Sequence, residues 1–309
     1  MTKCHYTTMK KVLIAGGSGL VGSRLCEILL DSNFEVAILS RSEKSKENIQ
    51  VIRWDTQSGE IHGDISSYDF IVNLAGSGIA DKSWSEKRKK NILESRLNSI
   101  DALFKSLKSQ NLKPSVIINA SAIGYYGDSG DTILTEDTPT QTEEFLSDVC
   151  KLWEKSASTL EEVTERLVVL RIGTVLSSKG GALEKIVPPI KLGMANYLGD
   201  GSQWVSWIHI DDICRMILHL LENDKAAGIY NGVSPNPMTN KEFTKVIKRV
   251  INRFALFMPA PSLAIKTVFG ELSRLVLNSN RVSADKIVNS GFTFEYPNLE
   301  KAIRQLYRK

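Results

Sequence analysis

The sequence predicts an α/β fold in which a doubly wound parallel sheet of the Rossmann type is joined to a smaller, mostly helical lobe. Short apolar runs alternate with amphipathic helical stretches through the first half of the chain, as in proteins built from repeated β-α-β units. The first apolar run ends in glycines and leads directly into a helical pattern. The 309 residues, 42% of them hydrophobic, are enough to bury a large core.

The predicted strands are short and mostly apolar, which is typical of parallel strands buried on both faces. In chain order they span residues 11–15, 35–39, 50–53, 70–74, 116–119 and 167–171. Long helical stretches near residues 86–109 and 143–160 precede and follow the fifth strand. This spacing predicts one parallel sheet with helices on both faces.

The pattern changes after Leu176. Glycine and proline pairs at residues 180–181 and 188–189 interrupt it, so loops and short helices are expected there. A helix near residues 212–221 and a strand near residues 229–231 then return to the sheet.

From Thr239 onward the chain is mostly helical, and Thr239 with Glu242 has the spacing of a capping box. The sequence therefore predicts a sheet domain of residues 9–176 and 207–232. The remaining residues, 177–206 and 233–309, are expected to form a substrate lobe. A small molecule is expected to bind between this lobe and the sheet domain.

The turn after the first strand reads Gly16-Gly17-Ser18-Gly19-Leu20-Val21-Gly22. Glycines at this spacing allow a tight turn, close approach of the backbone to a pyrophosphate, and close packing of helix against strand. The helix that follows presents free N–H groups and the positive end of its dipole to an anion. The turn therefore predicts a dinucleotide site.

The residues after the second strand bear on the choice of cofactor. An NAD enzyme commonly has an acidic residue there, but this chain has Ser40 and Arg41. A guanidinium offers forked donors and a fixed charge to a 2′-phosphate, so NADP(H) is predicted over NAD(H). Leu74, Ala75 and Gly76 end the fourth strand, where a ribose could lie across the backbone. The alternatives are a solvated Arg41 and a simple strand-end turn.

Composition excludes other classes of protein. The net charge of +4 is small and the basic residues are spread out, so no nucleic-acid partner is expected. The four cysteines form no Cys-x-x-Cys pair, which predicts neither a metal site nor a disulfide framework, and favours a reducing, cytoplasmic location. No apolar run is long enough to span a bilayer, so no membrane partner is expected. Met9 directly precedes the first strand, so residues 1–8 are expected to be an extension or an alternative start.

Several further motifs follow in a fixed order along the chain. They are Ser121 with Tyr125-Tyr126-Gly127, the run Leu170-Arg171-Ile172-Gly173-Thr174-Val175-Leu176, the run Trp207-Ile208-His209-Ile210-Asp211-Asp212, and Gly291-Phe292-x-Phe294. Together with the glycine turn, this order resembles the extended short-chain dehydrogenases/reductases, and in particular their atypical epimerase family branch. That branch is similar to NAD-dependent epimerases/dehydratases and ends in a short domain of uncharacterised function. The resemblance runs from about Lys10 to Leu306.

This resemblance implies cofactor contacts spread over several strand ends. They are Gly16, Gly19, Gly22, Ser40, Arg41, Leu74, Ala75, Arg96 and Leu176. Arg96 lies in the helix after the fourth strand, where the alternative is an ordinary surface arginine.

The catalytic residues depart from the pattern of the wider superfamily, whose members use a serine and a Tyr-x-x-x-Lys pair. Only Tyr6 is followed by a lysine four residues later, and that pair precedes the first strand. At the expected place stand Cys150 and Glu154. A carboxylate there is expected to raise the pKa of the Cys150 thiol rather than lower it. The alternative is that Cys150 is a small buried hydrophobe and Glu154 a surface residue.

Ser121, Tyr125 and Tyr126 are the other polar groups expected near the nicotinamide, and with Cys150 they form the predicted catalytic set. His209 is a weaker candidate, for which a structural role between the domains is favoured.

Two functions remain open at this point. The intact cofactor motifs favour an NADP-dependent oxidoreductase or epimerase-like enzyme that transfers hydride to or from a small molecule. The missing tyrosine and lysine favour a catalytically inactive NADP(H)-binding sensor or interaction protein. Neither the substrate nor the oligomeric state is fixed by the sequence.

Overall fold

The computed structural model describes residues 9–41, 48–55, 58–140 and 142–307. Cys4 and Tyr6 lie outside these residues, as do residues 1–8 as a whole. No helix in the described ranges is both long and apolar enough to cross a membrane.

Seventeen strands are present in the described ranges. Their bounds are β1 Lys11–Ala15, β2 Glu35–Ser40, β3 Gln50–Asp55, β4 Glu60–His62, β5 Phe70–Asn73, β6 Val116–Ala122, β7 Ile133–Leu134, β8 Leu167–Ile172, β9 Thr174–Ser177, β10 Gly180–Gly181, β11 Met194–Leu198, β12 Trp204–Val205, β13 Trp207–His209, β14 Gly228–Gly232, β15 Met238–Thr239, β16 Leu256–Ala260 and β17 Arg281–Val282.

Ten α-helices connect and cover these strands within the same ranges. They are α1 Leu20–Asp31, α2 Glu86–Ser109, α3 Phe145–Ala157, α4 Ala182–Lys191, α5 Ile210–Glu222, α6 Asn240–Ile251, α7 Ser262–Phe269, α8 Arg274–Leu277, α9 Asp285–Asn289 and α10 Leu299–Tyr307. Short 3₁₀ helices span Ile123–Tyr126, Ser158–Val163 and Gly270–Ser273.

The main sheet has eight strands in the order β14-β8-β6-β5-β1-β2-β3-β4. All neighbours are parallel except β3 and β4, which pair antiparallel. The strand order reverses at β1, which lies between β2 and β5. The predicted doubly wound α/β fold is therefore confirmed, and the crevice at this reversal, outside the carboxyl ends of the strands, is where such sheets bind ligands.

Two hydrophobic clusters cover the two faces of this sheet. One contains Leu25 and Leu29 of α1 and Ile213 and Ile217 of α5, and the other contains Leu103 of α2. The side chains of β1 alternate between them, with Val12 and Ile14 in the first cluster and Leu13 and Ala15 in the second. Burial on both faces explains why the strands are continuous apolar runs.

A third cluster is formed mostly by residues that the sequence assigned to the second lobe, together with Leu176 and Trp207 from the ranges assigned to the sheet domain. It joins Leu183 and Val187 of α4 to Phe243 and Ile247 of α6. The expected capping box is present, because Thr239 Oγ1 accepts from the backbone of Glu242 while the Glu242 side chain accepts from the backbone of Thr239.

Pro188 and Pro189 lie inside α4, one of the short helices expected after Leu176. Each proline removes one intrahelical hydrogen bond, and the burial of Leu183, Val187 and Ile190 in the third cluster offsets that loss. The sequence did not predict strand β4, because Glu60 and His62 are exposed and Ile61 between them is partly buried.

Candidate functional site

The glycine turn lies between β1 and α1, at the reversal of strand order. Gly16 has a positive φ of 81°, and a Cβ atom there would lie 2.8 Å from the carbonyl carbon of Leu74. A Cβ on Gly17 would lie 2.3 Å from Ile38 Cγ2, and one on Gly22 would lie 2.3 Å from the Gly16 oxygen. The packing of the fold alone therefore requires glycine at these three positions.

Gly19 is different, because packing does not exclude a side chain there. Its Cβ would meet only the Gly16 oxygen, at 3.3 Å, and its backbone is extended with φ −74° and ψ 178°. Gly19 is the N-cap of α1, where no side chain caps the helix and no acidic residue lies in the first turn. The turn thus presents uncapped N–H groups at an open surface formed by Ser18 and Gly19. This cradle fits the pyrophosphate of a dinucleotide.

A cavity of about 490 Å³ opens beside this turn. It is bounded by Ser18 and Gly19, by Lys179 in the turn between β9 and β10, and by Gln305 of α10. The β9–β10 hairpin packs against the start of α1, where a Cβ on Gly180 would lie 3.5 Å from Leu20 Cδ1. No carboxylate of the described chain lies within ion-pair distance of Lys179, which is exposed. Sequence reasoning missed Lys179, because the β9–β10 hairpin reaches the glycine turn only in the folded chain.

The end of β2 holds Ser40 and Arg41 at the same edge of the sheet. The register of β2 against β3 sets Arg53 opposite Ser40, and both Arg41 and Arg53 are exposed. A second arginine therefore lies beside the predicted pair. Sequence reasoning missed it because the pairing of β2 with β3 was not specified by either strand alone.

The end of β5 is fixed by a buried amide. Asn73 donates to Asn119 Oδ1 at 2.8 Å and to Ser99 Oγ at 3.1 Å, and its own Oδ1 accepts from the backbone of Ala75 at 3.2 Å. The backbone N–H of Leu74 donates to the Ala15 oxygen at the end of β1. These bonds place the partly exposed backbone from Leu74 to Gly76 directly beside the glycine turn.

Arg96 lies in α2 beneath this strand end. Its Nη1 donates to the carbonyls of Ser77 at 3.2 Å and Ile92 at 2.7 Å, and its Cζ lies 4.8 Å from the Trp153 ring. A Cβ on Gly76 would lie 3.1 Å from the Arg96 Cζ. Within the described ranges no carboxylate forms an ion pair with Arg96, and burial lowers the pKa of its guanidinium. A half-buried cation without a counter-ion at a strand edge suits an anionic ligand.

Ser121, at the end of β6, is tied to α3. Its hydroxyl donates to Glu154 Oε1 at 2.6 Å. Arg171 of β8 binds both oxygens of Glu154, with Nε and Nη2 each 2.8 Å away. The side chains of Arg171 and Glu154 are 2% and 12% exposed, so Glu154 is not the surface residue that one interpretation of the sequence assumed.

The two predicted tyrosines gather around the same arginine. The ring of Tyr125 lies 3.6 Å from the Arg171 Cζ. The hydroxyl of Tyr126 accepts from Arg171 Nη1 at 3.0 Å and donates to Asn231 Oδ1 at 2.8 Å. Tyr126 is 2% exposed, and burial raises the pKa of its phenol although Arg171 acts in the opposite direction. Its proton is therefore directed into the protein, toward β14.

Cys150 lies one helical turn before Glu154 and is buried. Burial, with a further contribution from Glu154, raises the pKa of its thiol to about 12. The shift has the direction expected from the sequence, although burial is its larger cause. Cys150 is consequently a neutral thiol near pH 7.

His209 and Leu176 lie farther along the chain, on paired strands. His209 Nδ1 accepts from the backbone of Asp211 at the start of α5, and its Nε2 lies 3.0 Å from Gln305 Oε1 of α10. His209 is fully buried and packs on Tyr296, so its contacts are structural and join the sheet to the C-terminal residues. Leu176 pairs with His209, and its side chain is buried in the third cluster.

Most of the predicted cofactor residues therefore meet at one edge of the sheet, at the ends of β1, β2 and β5, and Ser121 ends β6 at that same edge. Leu176 belongs instead to a separate three-stranded sheet with the β9–β10 hairpin.

Known proteins are similar to this chain along nearly its whole length. Residues 12–233 match the model of the NAD dependent epimerase/dehydratase family, and residues 260–306 match a domain of unknown function, DUF1731. An epimerase family protein of Staphylococcus aureus (strain N315) is 36% identical over 97% of this chain and 100% of its own length. Epimerase family protein YfhF of Bacillus subtilis is also 36% identical, over 96% of this chain and 97% of its own. The crystal structure of human epimerase family protein SDR39U1 with NADPH has 31% identity and a TM-score of 0.87, and the match covers 96% of this chain and 98% of the human chain.

Proposed function

The chain belongs to the NAD dependent epimerase/dehydratase family, and from that premise we propose that it is an NADP(H)-dependent oxidoreductase or epimerase-like enzyme. The family membership confirms the resemblance found in the sequence. We propose that a small molecule binds between a sheet domain of residues 9–176 and 207–232 and a substrate lobe of residues 177–206 and 233–309. The buried thiols of Cys150 and Cys214 form no disulfide within the described residues, and this supports a reducing, cytoplasmic location.

The observation that carries this proposal is the uncapped start of α1 at Gly19. Neither packing nor backbone conformation calls for glycine there, so the missing side chain is explained by a ligand that approaches the backbone. A pyrophosphate would take the helix N–H groups, with Lys179 at the mouth of the adjoining cavity. The human relative was crystallised with NADPH, which supports the same cofactor here.

The preference for NADP(H) rests on charge at the end of β2. Ser40 and Arg41 stand where an NAD enzyme commonly holds a carboxylate for the ribose hydroxyls. With Arg53 on the neighbouring strand, this edge is cationic and suits a 2′-phosphate. Arg96 supplies a further positive charge beside the backbone of Gly76, where it would face the cofactor from the other side of the glycine turn.

The bound cofactor would supply the hydride, and the chain's own residues would orient the substrate. The Ser121 hydroxyl proton is committed to Glu154, so the oxygen of Ser121 is left to accept a hydrogen bond from a substrate N–H or O–H group. Tyr126 and Arg171 hold Ser121 and Glu154 in place, and Tyr125 borders them. Since Cys150 is a neutral thiol, we propose Ser121 as the substrate contact and Cys150 as a structural neighbour.

A catalytically inactive NADP(H)-binding protein, acting as a sensor or interaction partner, is the second candidate function. It is favoured by Cys150 and Glu154 in the places of tyrosine and lysine, and by the inward direction of the Tyr126 proton. General acid/base help is typically worth 10²–10⁴-fold in rate, so an enzyme that lacks the usual pair would be slow on simple carbonyls.

The two candidates are separated by NADPH absorbance across a panel of aldehydes, ketones and nucleotide sugars. Protein-dependent NADPH consumption that Gly19→Val removes would establish an oxidoreductase. Tight NADPH binding with no NADPH consumption, and with no epimerised nucleotide sugar detected by NMR, across the whole panel would favour the sensor. Absence of NADPH binding by the parent protein would contradict both.

A further inference from the structure

The two-stranded sheet of β11 and β16 has one apolar face that is left uncovered. The strands pair in parallel with Met194 opposite Leu256 and Asn196 opposite Met258. Because side chains alternate along a strand, Met194, Leu256 and Met258 share the outer face, and all three are exposed. The intervening Ala195 faces inward, into the third cluster.

Two more apolar side chains extend this face at the edge where both strands begin. Leu192 and Phe254 are each 82% exposed. The backbone N–H of Leu256 donates to the Gly193 oxygen, which holds the two entering segments side by side. Each apolar residue directly follows a cation, Lys191 in one segment and Arg253 in the other, so two exposed apolar groups and two positive charges lie together.

Helix α7 follows β16 directly and is also largely uncovered. Only Ile265 is buried, whereas Leu263, Val268 and Phe269 are exposed. We define the apolar patch by the exposed apolar side chains of the β11–β16 sheet, of the two segments that enter it, and of α7. They are Leu192, Met194, Phe254, Leu256, Met258, Leu263, Val268 and Phe269. Exposed apolar surface of this extent marks an interaction site.

The surroundings of the apolar patch are strongly basic. Residues 185–198 and 240–269 contain eight lysines and arginines but only one acidic residue, Glu242, although the whole chain has a net charge of only +4. Across the part of the chain that the structure describes, no carboxylate lies within 4.0 Å of the charged groups of Lys191, Lys266 or Arg253. The partner must therefore combine negative charge with an apolar layer.

We propose that the apolar patch binds the surface of an anionic lipid bilayer. The side chains protrude from a short sheet and a single helix rather than line a groove, so they suit insertion below lipid headgroups. The flanking cations would lie at the level of the anionic headgroups, where each contributes by its attraction to the negative surface. The expectation of no membrane partner rested on the lack of a spanning segment, which is a different feature from a peripheral surface.

Flotation of the full chain with lipid vesicles tests this proposal. Vesicles of phosphatidylcholine with about 30% phosphatidylserine should carry the protein upward, neutral phosphatidylcholine vesicles should carry little, and added salt should weaken binding. Failure to float with the anionic vesicles at low salt would overturn the proposal. This readout is independent of NADPH binding, so its failure leaves the proposed function untouched.

Paired variants locate the contact. Leu192→Ser with Phe254→Ser should abolish flotation, and Lys191→Glu with Arg253→Glu should weaken it at least about tenfold. Two matched controls change exposed residues outside the apolar patch, and both should float like the parent. They are Leu152→Ser with Val288→Ser for the apolar pair, and Lys155→Glu with Lys225→Glu for the charged pair. Thermal unfolding checks that each variant folds.

Two results of these variants would contradict the proposal. One is unchanged flotation of the Leu192→Ser, Phe254→Ser variant. The other is a dimer of the parent protein in analytical sedimentation that becomes a monomer in the same variant. The apolar patch would then join two copies of the chain.

Discussion

The hydroxyl of Ser121 donates a 2.6 Å hydrogen bond to Glu154 Oε1, at the place where the sequence resemblance implies a lysine in the wider superfamily. A lysine there would lower the pKa of a neighbouring phenol, but Glu154 instead neutralises Arg171 and fixes the serine. The polar centre of the site is thus a closed network of serine, carboxylate, guanidinium and phenol. Its proton donors point inward, and this is the physical reason for expecting slow chemistry or none.

Gly19→Val should abolish NADPH binding and leave the protein folded. The backbone angles of Gly19 are ones that valine adopts readily, and its Cβ would meet only one atom closer than 4 Å, so the fold should survive. The added methyl groups would cover the N–H groups that the pyrophosphate needs. Calorimetry measures the affinity, and circular dichroism checks the fold. Unchanged affinity in a folded variant would remove the basis of the cofactor assignment.

Arg41→Asp should reverse the choice of cofactor. In the parent protein NADPH should bind about tenfold or more tightly than NADH, because one charge-assisted contact to the 2′-phosphate is worth about 1.5–3 kcal/mol. In the variant the carboxylate repels the phosphate and can accept from the ribose hydroxyls. Lys225→Asp, at an exposed position away from this edge, is the control for net charge. Equal affinities of the parent for both cofactors would refute the preference.

Sequence reasoning succeeded where chemistry is local. The strand, the glycine turn and the start of α1 are contiguous, so Gly16 to Gly22 could be interpreted without knowledge of the rest of the fold, and the same holds for the capping box of Thr239 and Glu242. It failed where distant elements meet. Glu154 was assigned as a surface residue in one interpretation because nothing in its own helix shows that Arg171, on β8, reaches it. The positions of Lys179 and Arg53 depend in the same way on tertiary contacts.

Cys150 should resist alkylation in the native protein. Its thiol is buried and has a pKa of about 12, so the reactive thiolate is scarce at pH 7.5. Mass spectrometry after iodoacetamide treatment should find Cys150 unmodified until the protein is unfolded. Rapid labelling of Cys150 at pH 7.5 would instead indicate an activated cysteine that has taken over the role of the tyrosine.

Breaking the pair of Arg171 and Glu154 should be costly. Removing one partner of a buried ion pair leaves an uncompensated charge and typically destabilises by about 3–5 kcal/mol. Glu154→Leu and Arg171→Met should each approach that loss in urea unfolding, whereas the double variant that combines these two substitutions should lose less than their sum. Asp101→Ala, in the exposed pair with Lys105, should stay within about 0.5 kcal/mol of the parent. Additive losses in the double variant would show that the two side chains are not coupled.

Acid should destabilise the protein through His209. This buried ring uses Nδ1 to accept from the backbone of Asp211, which leaves the proton on Nε2, opposite Gln305 Oε1. Protonation would remove that acceptor, and burial lowers the pKa of His209 below its usual 6.5. Above pH 6.5 both folded and unfolded chains hold a neutral ring, so the full stability is present. As the pH falls below 6.5, the unfolded chain takes up the proton first, and stability is lost until the folded pKa is passed.

The direction of this effect follows from the linkage between protonation and folding. Because burial holds the folded pKa of His209 below the unfolded one, stability should fall between pH 7.5 and pH 5.5, by at most about 1.4 kcal/mol for each pH unit below the unfolded pKa. His209→Asn is the matched control, because asparagine also caps a helix but does not titrate. His219, whose pKa is also lowered by burial, contributes equally to both proteins. The difference between their urea-unfolding curves at the two pH values therefore isolates His209, and identical pH dependence in parent and variant would show that its ring does not govern acid stability.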